Sequence, residues 1–178
     1  GVPLSIWNMS ESHTLGIFEA GISLPGEMDQ LQHIIDPEIG VFTYIGDAHA
    51  EGFKNPVQKI NEKLKLFIKS KVLIYCADDD RMHDSVLAFT ETHHKALQLF
   101  GWSRKQGSTL FISKTEKSEK GCSISCLYDS RELNFFIPFT DDASIHNAIT
   151  CCCVLLYLNV SFPAIASHIY QLRPVEMR

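Results

Sequence analysis

Apolar positions along this chain follow two different rhythms, and the change between them divides it near its middle. In the first half, short unbroken apolar runs alternate with stretches of helical period, the arrangement expected when strands and helices take turns to build a mostly parallel sheet. Residues 15–19, LGIFE, read as a buried strand closed by Glu19. Residues 21–26 form a turn around Pro25, and residues 27–35 a helix with Met28, Leu31, Ile34 and Ile35 on one face. Asp36 and Pro37 stop that helix, because the residue before a proline is pushed out of helical geometry. Residues 39–45 are the next strand, followed by a loop over 46–55. Pro56 suits the first turn of a helix reaching about Ser70, with Val57, Ile60, Leu64 and Phe67 at helical spacing. Residues 71–77 are a third buried strand.

After a weaker helical stretch over 78–97 the period shortens to that of antiparallel strands, at 108–113, 122–128 and 132–139. The Lys- and Glu-rich residues 114–120 between two of them read as a solvated hairpin tip with no binding role. Helical period returns at 143–158 and 163–172. The fold expected is α/β: a mostly parallel sheet with flanking helices and a small antiparallel section.

Composition narrows the class. A chain of 178 residues with 45% hydrophobic and 21% charged residues is long enough for one domain with a real core. The formal net charge of -5 argues against general nucleic-acid binding, which needs a basic face, but leaves room for a nucleotide. The longest apolar stretch, 148–158, is too short to span a bilayer, and residues 1–6 lack the basic start of a signal peptide, so a cytoplasmic location is expected. Three of the six cysteines are consecutive (Cys151, Cys152 and Cys153); helix residues about 100° apart cannot share one tetrahedral metal, so buried thiols are expected. Cys122 and Cys126 share a strand face without a second pair at zinc spacing.

Chemistry concentrates between residues 15 and 67. Glu19 ends the first apolar run, His49 sits in the loop after the second, and Lys63 lies on the helix that follows. Open α/β sheets bind ligands at the carboxyl ends of their strands, so an acid and an imidazole delivered there could hold a cation and a phosphate. Each has a plainer reading: a solvent-facing glutamate, a loop histidine, one solvated lysine among Lys59, Lys65 and Lys69. Asp78, Asp79 and Asp80 follow a buried strand and read as a helix start, where acids are favoured, in preference to a magnesium site.

The wording of these segments, GVPLSIW, GIFEAGISLPGEM, EKLKLF and SIHNAI, closely resembles the central ATP-binding domain of the Mur ligases. Within that family it is most similar to the branch that adds D-alanyl-D-alanine to UDP-MurNAc-tripeptide in peptidoglycan synthesis, in the form fused to an alanine racemase. The resemblance covers nearly the whole chain and is thinner over 78–139. It implies an ATP- and Mg2+-dependent amide-bond-forming ligase. Glu19 would hold the magnesium between the β- and γ-phosphates, and His49 the second magnesium. Lys63, carbamylated, would support that second ion, while Asn147 would contact the adenine and Arg178 the phosphates. The family has Asn where this chain has Tyr44, which a phenol does not mimic.

The resemblance also implies a domain division. No G-x-x-x-x-G-K-S/T phosphate loop occurs in the sequence. In the family that loop lies upstream of the position of Gly1, and LRPVEMR at the other end resembles the hinge into the C-terminal domain. Residues 1–178 are therefore expected to be part of the central domain. The phosphate loop, the UDP-substrate domain and the C-terminal domain would be the missing domains of the same polypeptide, and the piece alone would be inactive. Another Mur-type ligase, a folylpolyglutamate synthase-like enzyme, and a non-catalytic module that kept the fold stand as alternatives.

Overall fold

The computed structural model describes residues 2–43, 52–93 and 95–174. In chain order they form α1 (Val2–Trp7), α2 (Glu27–Ile35), β1 (Ile39–Phe42), α3 (Pro56–Leu64), β2 (Val72–Cys76), α4 (Asp80–His93) and β3 (Gln98–Ser103). Then come β4 (Leu110–Ser118), β5 (Gly121–Tyr128), β6 (Arg131–Ile137), α5 (Asp142–Tyr157) and α6 (Phe162–Tyr170). The six strands form one sheet in sequence order, and the chain divides into two compact units.

The first unit holds α1 to α3 and the later part of α4. Its helices start and stop for local reasons. The Asn55 side chain accepts the Gln58 N–H at 2.8 Å and Pro56 occupies the first turn, so α3 begins there. Helix α2 begins after Gly26, whose φ of 92° favours glycine, and ends at Asp36 in left-handed geometry before Pro37. Its inward face is Met28 and Gln32 with Leu31 and Ile35 partly covered; Ile34, expected on that face, is exposed. The side chain of Gln32 is satisfied by Asp36 Oδ1 at 2.9 Å, which explains how an amide replaces an apolar residue there.

The second unit holds most of the sheet with α5 and α6. At the strand starts, Lys71 N–H donates to Glu38 C=O and Gln98 N–H to Lys71 C=O; past the far ends, Ala77 N–H donates to Trp102 C=O. Neighbouring strands that begin together and end together run the same way, so β1, β2 and β3 are parallel with α3 and α4 as crossovers. Strand β4 also runs parallel to β3, pairing only Trp102 with Leu110 and Ser103 with Phe111. Because the overlap is two residues at the end of one strand and the start of the next, the link needs no helix to carry it back. Strands β4, β5 and β6 then follow as antiparallel neighbours. Trp102 is fully buried, and its indole N–H donates to Thr150 Oγ1 at 3.0 Å, fastening α5 to β3.

Four expectations change. Residues 15–19 form no strand: Leu15 and Ile17 are 60% and 89% exposed, and no described residue pairs with them in a ladder. An apolar run becomes a buried strand only where a neighbour supplies hydrogen bonds and cover. The helical stretch expected over 78–97 is present as α4, but strand β3 after it was not among the expected elements; its glycine, Gly101, lies against the Tyr75 ring, which disguised a buried strand. The polar stretch 114–120 is mostly strand, with Lys114 to Ser118 paired to Ser125 through Gly121, so the tip is only residues 119–120. A run of largely exposed polar residues in an antiparallel strand looks like a loop when its partner is unseen. Helix α1, in which no residue is buried, was not anticipated at all.

Cys122, Cys126, Cys152 and Cys153 are buried free thiols, whereas Cys151, expected to be buried with its two neighbours, is exposed, because successive helix residues point about 100° apart. Burial pushes the Cys152 thiol up to about 12 and the Cys126 thiol up to about 11, leaving both protonated and inert.

Candidate functional site

Helix α3 presents Lys59 and Lys63 one turn apart, and therefore on one face. Lys59 is buried, contrary to the expectation of a solvated lysine row, and Lys63 is half-buried. Burial, reinforced by the Lys59 charge, holds the Lys63 amine below the ordinary lysine range, and the Glu19 carboxylate partly opposes this. That opposition places Glu19 within electrostatic reach of Lys63, although they are 44 positions apart in the sequence. Lys65, the neighbour most easily confused with Lys63, is a different kind of group. It pairs with Asp29 and Glu62, both at 2.9 Å, and these bonds raise its pKa.

The exposed Glu19 leads into a loop that is held tightly. Ile22 is buried, and Glu27 accepts the N–H groups of Ser23 at 2.7 Å and Leu24 at 3.0 Å, which lower its pKa. Gly52 crosses so close to this loop that a Cβ there would lie 2.0 Å from the Ser23 carbonyl oxygen. The buried Glu62 carboxylate accepts the Gly26 N–H. Sequence reading passed over Glu62 because its partner lies 36 positions away, beyond any local pattern.

His49, Tyr44 and Arg178 lie outside the described residues. Among the described residues no three His, Cys, Asp or Glu side chains assemble into a metal cluster. Glu19 still fits a hard cation, since magnesium accepts one or two carboxylate oxygens and keeps several waters. Lys63 as a free ammonium does not fit one; only as a carbamate would it offer oxygen.

Asn147 is exposed on the first half of α5, in the second unit. The helix that carries it is capped by Asp141, which accepts the Ser144 N–H at 2.8 Å, and seated by His146, edge-on to Trp102 with centroids 5.1 Å apart. Burial lowers the His146 pKa, with Arg104 adding to the effect. The three aspartates after β2 have separate duties. Asp78 accepts Ser103 Oγ–H, Arg104 N–H and the Arg104 guanidinium; Asp79 binds Arg81 and caps α4; Asp80 pairs with Lys105. They tie β2 to the end of β3 and start a helix, in line with the helix-start reading.

Parallel strands joined by crossover helices define an α/β domain, and its first unit brings the Glu19 carboxylate within electrostatic reach of the half-buried Lys63. The chain belongs to the Mur ligase family: residues 1–155 match the Mur ligase middle domain. It is 25% identical over 185 residues to the UDP-N-acetylmuramoyl-tripeptide–D-alanyl-D-alanine ligase of Bacillus subtilis (strain 168), covering 100% of this chain and 37% of that protein. The fold matches MurF from Acinetobacter baumannii with a TM-score of 0.82 at 20% identity, over 98% of this chain and 38% of the other. It also matches the MurF ligase from Thermotoga maritima in complex with ADP, with a TM-score of 0.65 at 17% identity, over 86% of this chain and 34% of the other. The chain spans little more than a third of the length of the curated relatives it matches. Among the described residues no helix is long and apolar enough to cross a membrane.

Proposed function

We propose that this chain is the central-domain part of an ATP-dependent ligase that joins D-alanyl-D-alanine to UDP-MurNAc-tripeptide in peptidoglycan synthesis, in the cytoplasm where its nucleotide-linked substrates are made. The relatives' names support the substrates, and the observation that carries the site is the half-buried Lys63 on α3, one turn from the buried Lys59 and within electrostatic reach of Glu19. In the proposed reaction the terminal carboxylate of the tripeptide attacks the γ-phosphorus of ATP, giving an acyl phosphate and ADP. The amine of D-alanyl-D-alanine then attacks the acyl carbon, and phosphate leaves as the amine loses a proton.

The residues of this chain contribute position and charge. Glu19 supplies a carboxylate at the edge where the phosphates would lie. Lys63, neutral more readily than an ordinary lysine, would react through its neutral amine with carbon dioxide, forming an N–C bond and losing an N–H proton to solvent, to give a carbamate in place of the ammonium. His49 would complete that edge, Asn147 would hold the adenine, and Arg178 would meet the phosphates. Magnesium bound there would neutralise phosphate charge as it develops. The phosphate loop, the UDP-substrate domain and the closing domain would come from the rest of the polypeptide, so this piece alone should be inactive.

The test is product formation by the intact protein. With ATP, magnesium, UDP-MurNAc-tripeptide and D-alanyl-D-alanine, mass spectrometry should find the pentapeptide product, and ADP release should depend on both acceptor and donor. Release of ADP with a different amino acid in place of the dipeptide, and none with the dipeptide, would assign the chain to another Mur-type ligase.

A further inference from the structure

We infer that Glu62 is a positioning residue, which sets the loop leading from Glu19 against the helix that carries Lys63. This rests on the proposed metal-holding edge and adds a residue to it. Glu62 is only 6% exposed. A carboxylate so far from water is costly unless it is fully bonded. Both of its oxygens are used: Oε1 accepts the Gly26 N–H and Oε2 takes the Lys65 ammonium at 2.9 Å. Lys65 continues the link to Asp29, also at 2.9 Å, in the first turn of α2. The last turn of α3 is thus bound twice to the start of α2.

The place of these bonds gives them their meaning. Gly26 stands in left-handed geometry as the N-cap of α2, with no side chain of its own to cap the helix. Glu62 provides the missing negative group at that end from another helix. Gly26 is also where the loop that starts at Glu19 finishes, and Glu27 holds the middle of that loop through Ser23 and Leu24. Glu62 is the immediate neighbour of Lys63. One carboxylate therefore fastens the Glu19 loop to the residue beside Lys63, and an apolar side chain of equal size would fill the space without taking the amide.

The experiment uses the intact enzyme in four forms: unmodified, Glu62→Ala, Glu62→Gln and Glu19→Ala. The readings are the magnesium concentration for half-maximal rate, kcat at saturating magnesium, and amide hydrogen exchange over residues 23–27 without metal. Glu62→Ala should need about tenfold more magnesium, as when a group supporting a ligand is lost, while keeping most of its kcat. Its Gly26 amide should exchange faster. Glu62→Gln, which retains an acceptor for Gly26, should stay close to the unmodified enzyme in both respects. An unchanged magnesium requirement in Glu62→Ala, or an unchanged Gly26 exchange rate, overturns the inference. If Glu19→Ala also leaves the magnesium requirement unchanged, the metal-holding edge itself is wrong; if Glu19→Ala shifts it and Glu62→Ala does not, only the role of Glu62 falls.

Discussion

The Lys63 amine sits half-buried beside Lys59 and within electrostatic reach of the Glu19 carboxylate. Two charges of opposite sign, the exposed Glu19 on a loop and the half-buried Lys63 on a helix, come within electrostatic reach although they are far apart in the sequence. A role for Glu19 in holding magnesium predicts that Glu19→Ala in the intact enzyme slows acyl-phosphate formation about a hundredfold. Binding of the UDP substrate should stay close to normal, because that group is expected on a different domain. The same split is expected for His49→Ala. Rapid-quench measurement of acyl phosphate together with equilibrium binding of the UDP substrate checks both; turnover at the unmodified rate under saturating magnesium removes the residue from the metal site.

Gly52 and Ser23 define how close two segments of the first unit come. Replacing Gly52 by Ala places a methyl 2.0 Å from the Ser23 carbonyl oxygen, so the backbone must move. The expected loss is about 1–3 kcal/mol of stability, the range for overpacking. Denaturant unfolding measures it, and a stability equal to that of the unmodified protein would show that the two segments separate freely.

Asp78 makes stability depend on acid. Burial alone would raise its pKa, but bonds from Ser103 Oγ–H, Arg104 N–H and the Arg104 guanidinium outweigh burial and hold it below 3.8. A carboxylate with a depressed folded pKa adds stability that is complete above its unfolded value and disappears as pH falls through the folded one. Asp78→Ala should therefore cost about 2 kcal/mol at neutral pH. The cost should shrink as the solution is acidified below pH 3.8. Unfolding curves at several pH values test this, and a cost independent of pH would mean that the charge is not what matters.

The parallel half of the fold was readable because each element carries its own signal. Helix α2 has its apolar period and proline stop, α3 its Asn–Pro start, and β2 an unbroken apolar run. What escaped depends on partners. Residues 15–19 have the composition of a strand, but a strand is a relation between two segments. Lys114 to Ser118 look like a loop until β5 is set beside them. For the site, the resemblance to the Mur ligases points to Glu19 and Lys63, and the burial of Lys59 and half-burial of Lys63 could not be read from spacing. Glu62 left no trace in the sequence, since a buried carboxylate is recognised only by the amide and ammonium it meets in space.

Carbamylation of Lys63 joins the structural account to the proposed chemistry. A positive ammonium beside Glu19 would repel magnesium, and the desolvated amine is suited to take up carbon dioxide. The direct measurement is the rate of the intact Lys63→Ala enzyme, alone and with added short-chain carboxylic acids. The account predicts a rate lower by about a hundredfold that recovers as a carboxylic acid fills the vacated space. Full activity of Lys63→Ala without any added acid would contradict it, and Lys65, which pairs with Asp29 and Glu62, would then have to be tested in its place.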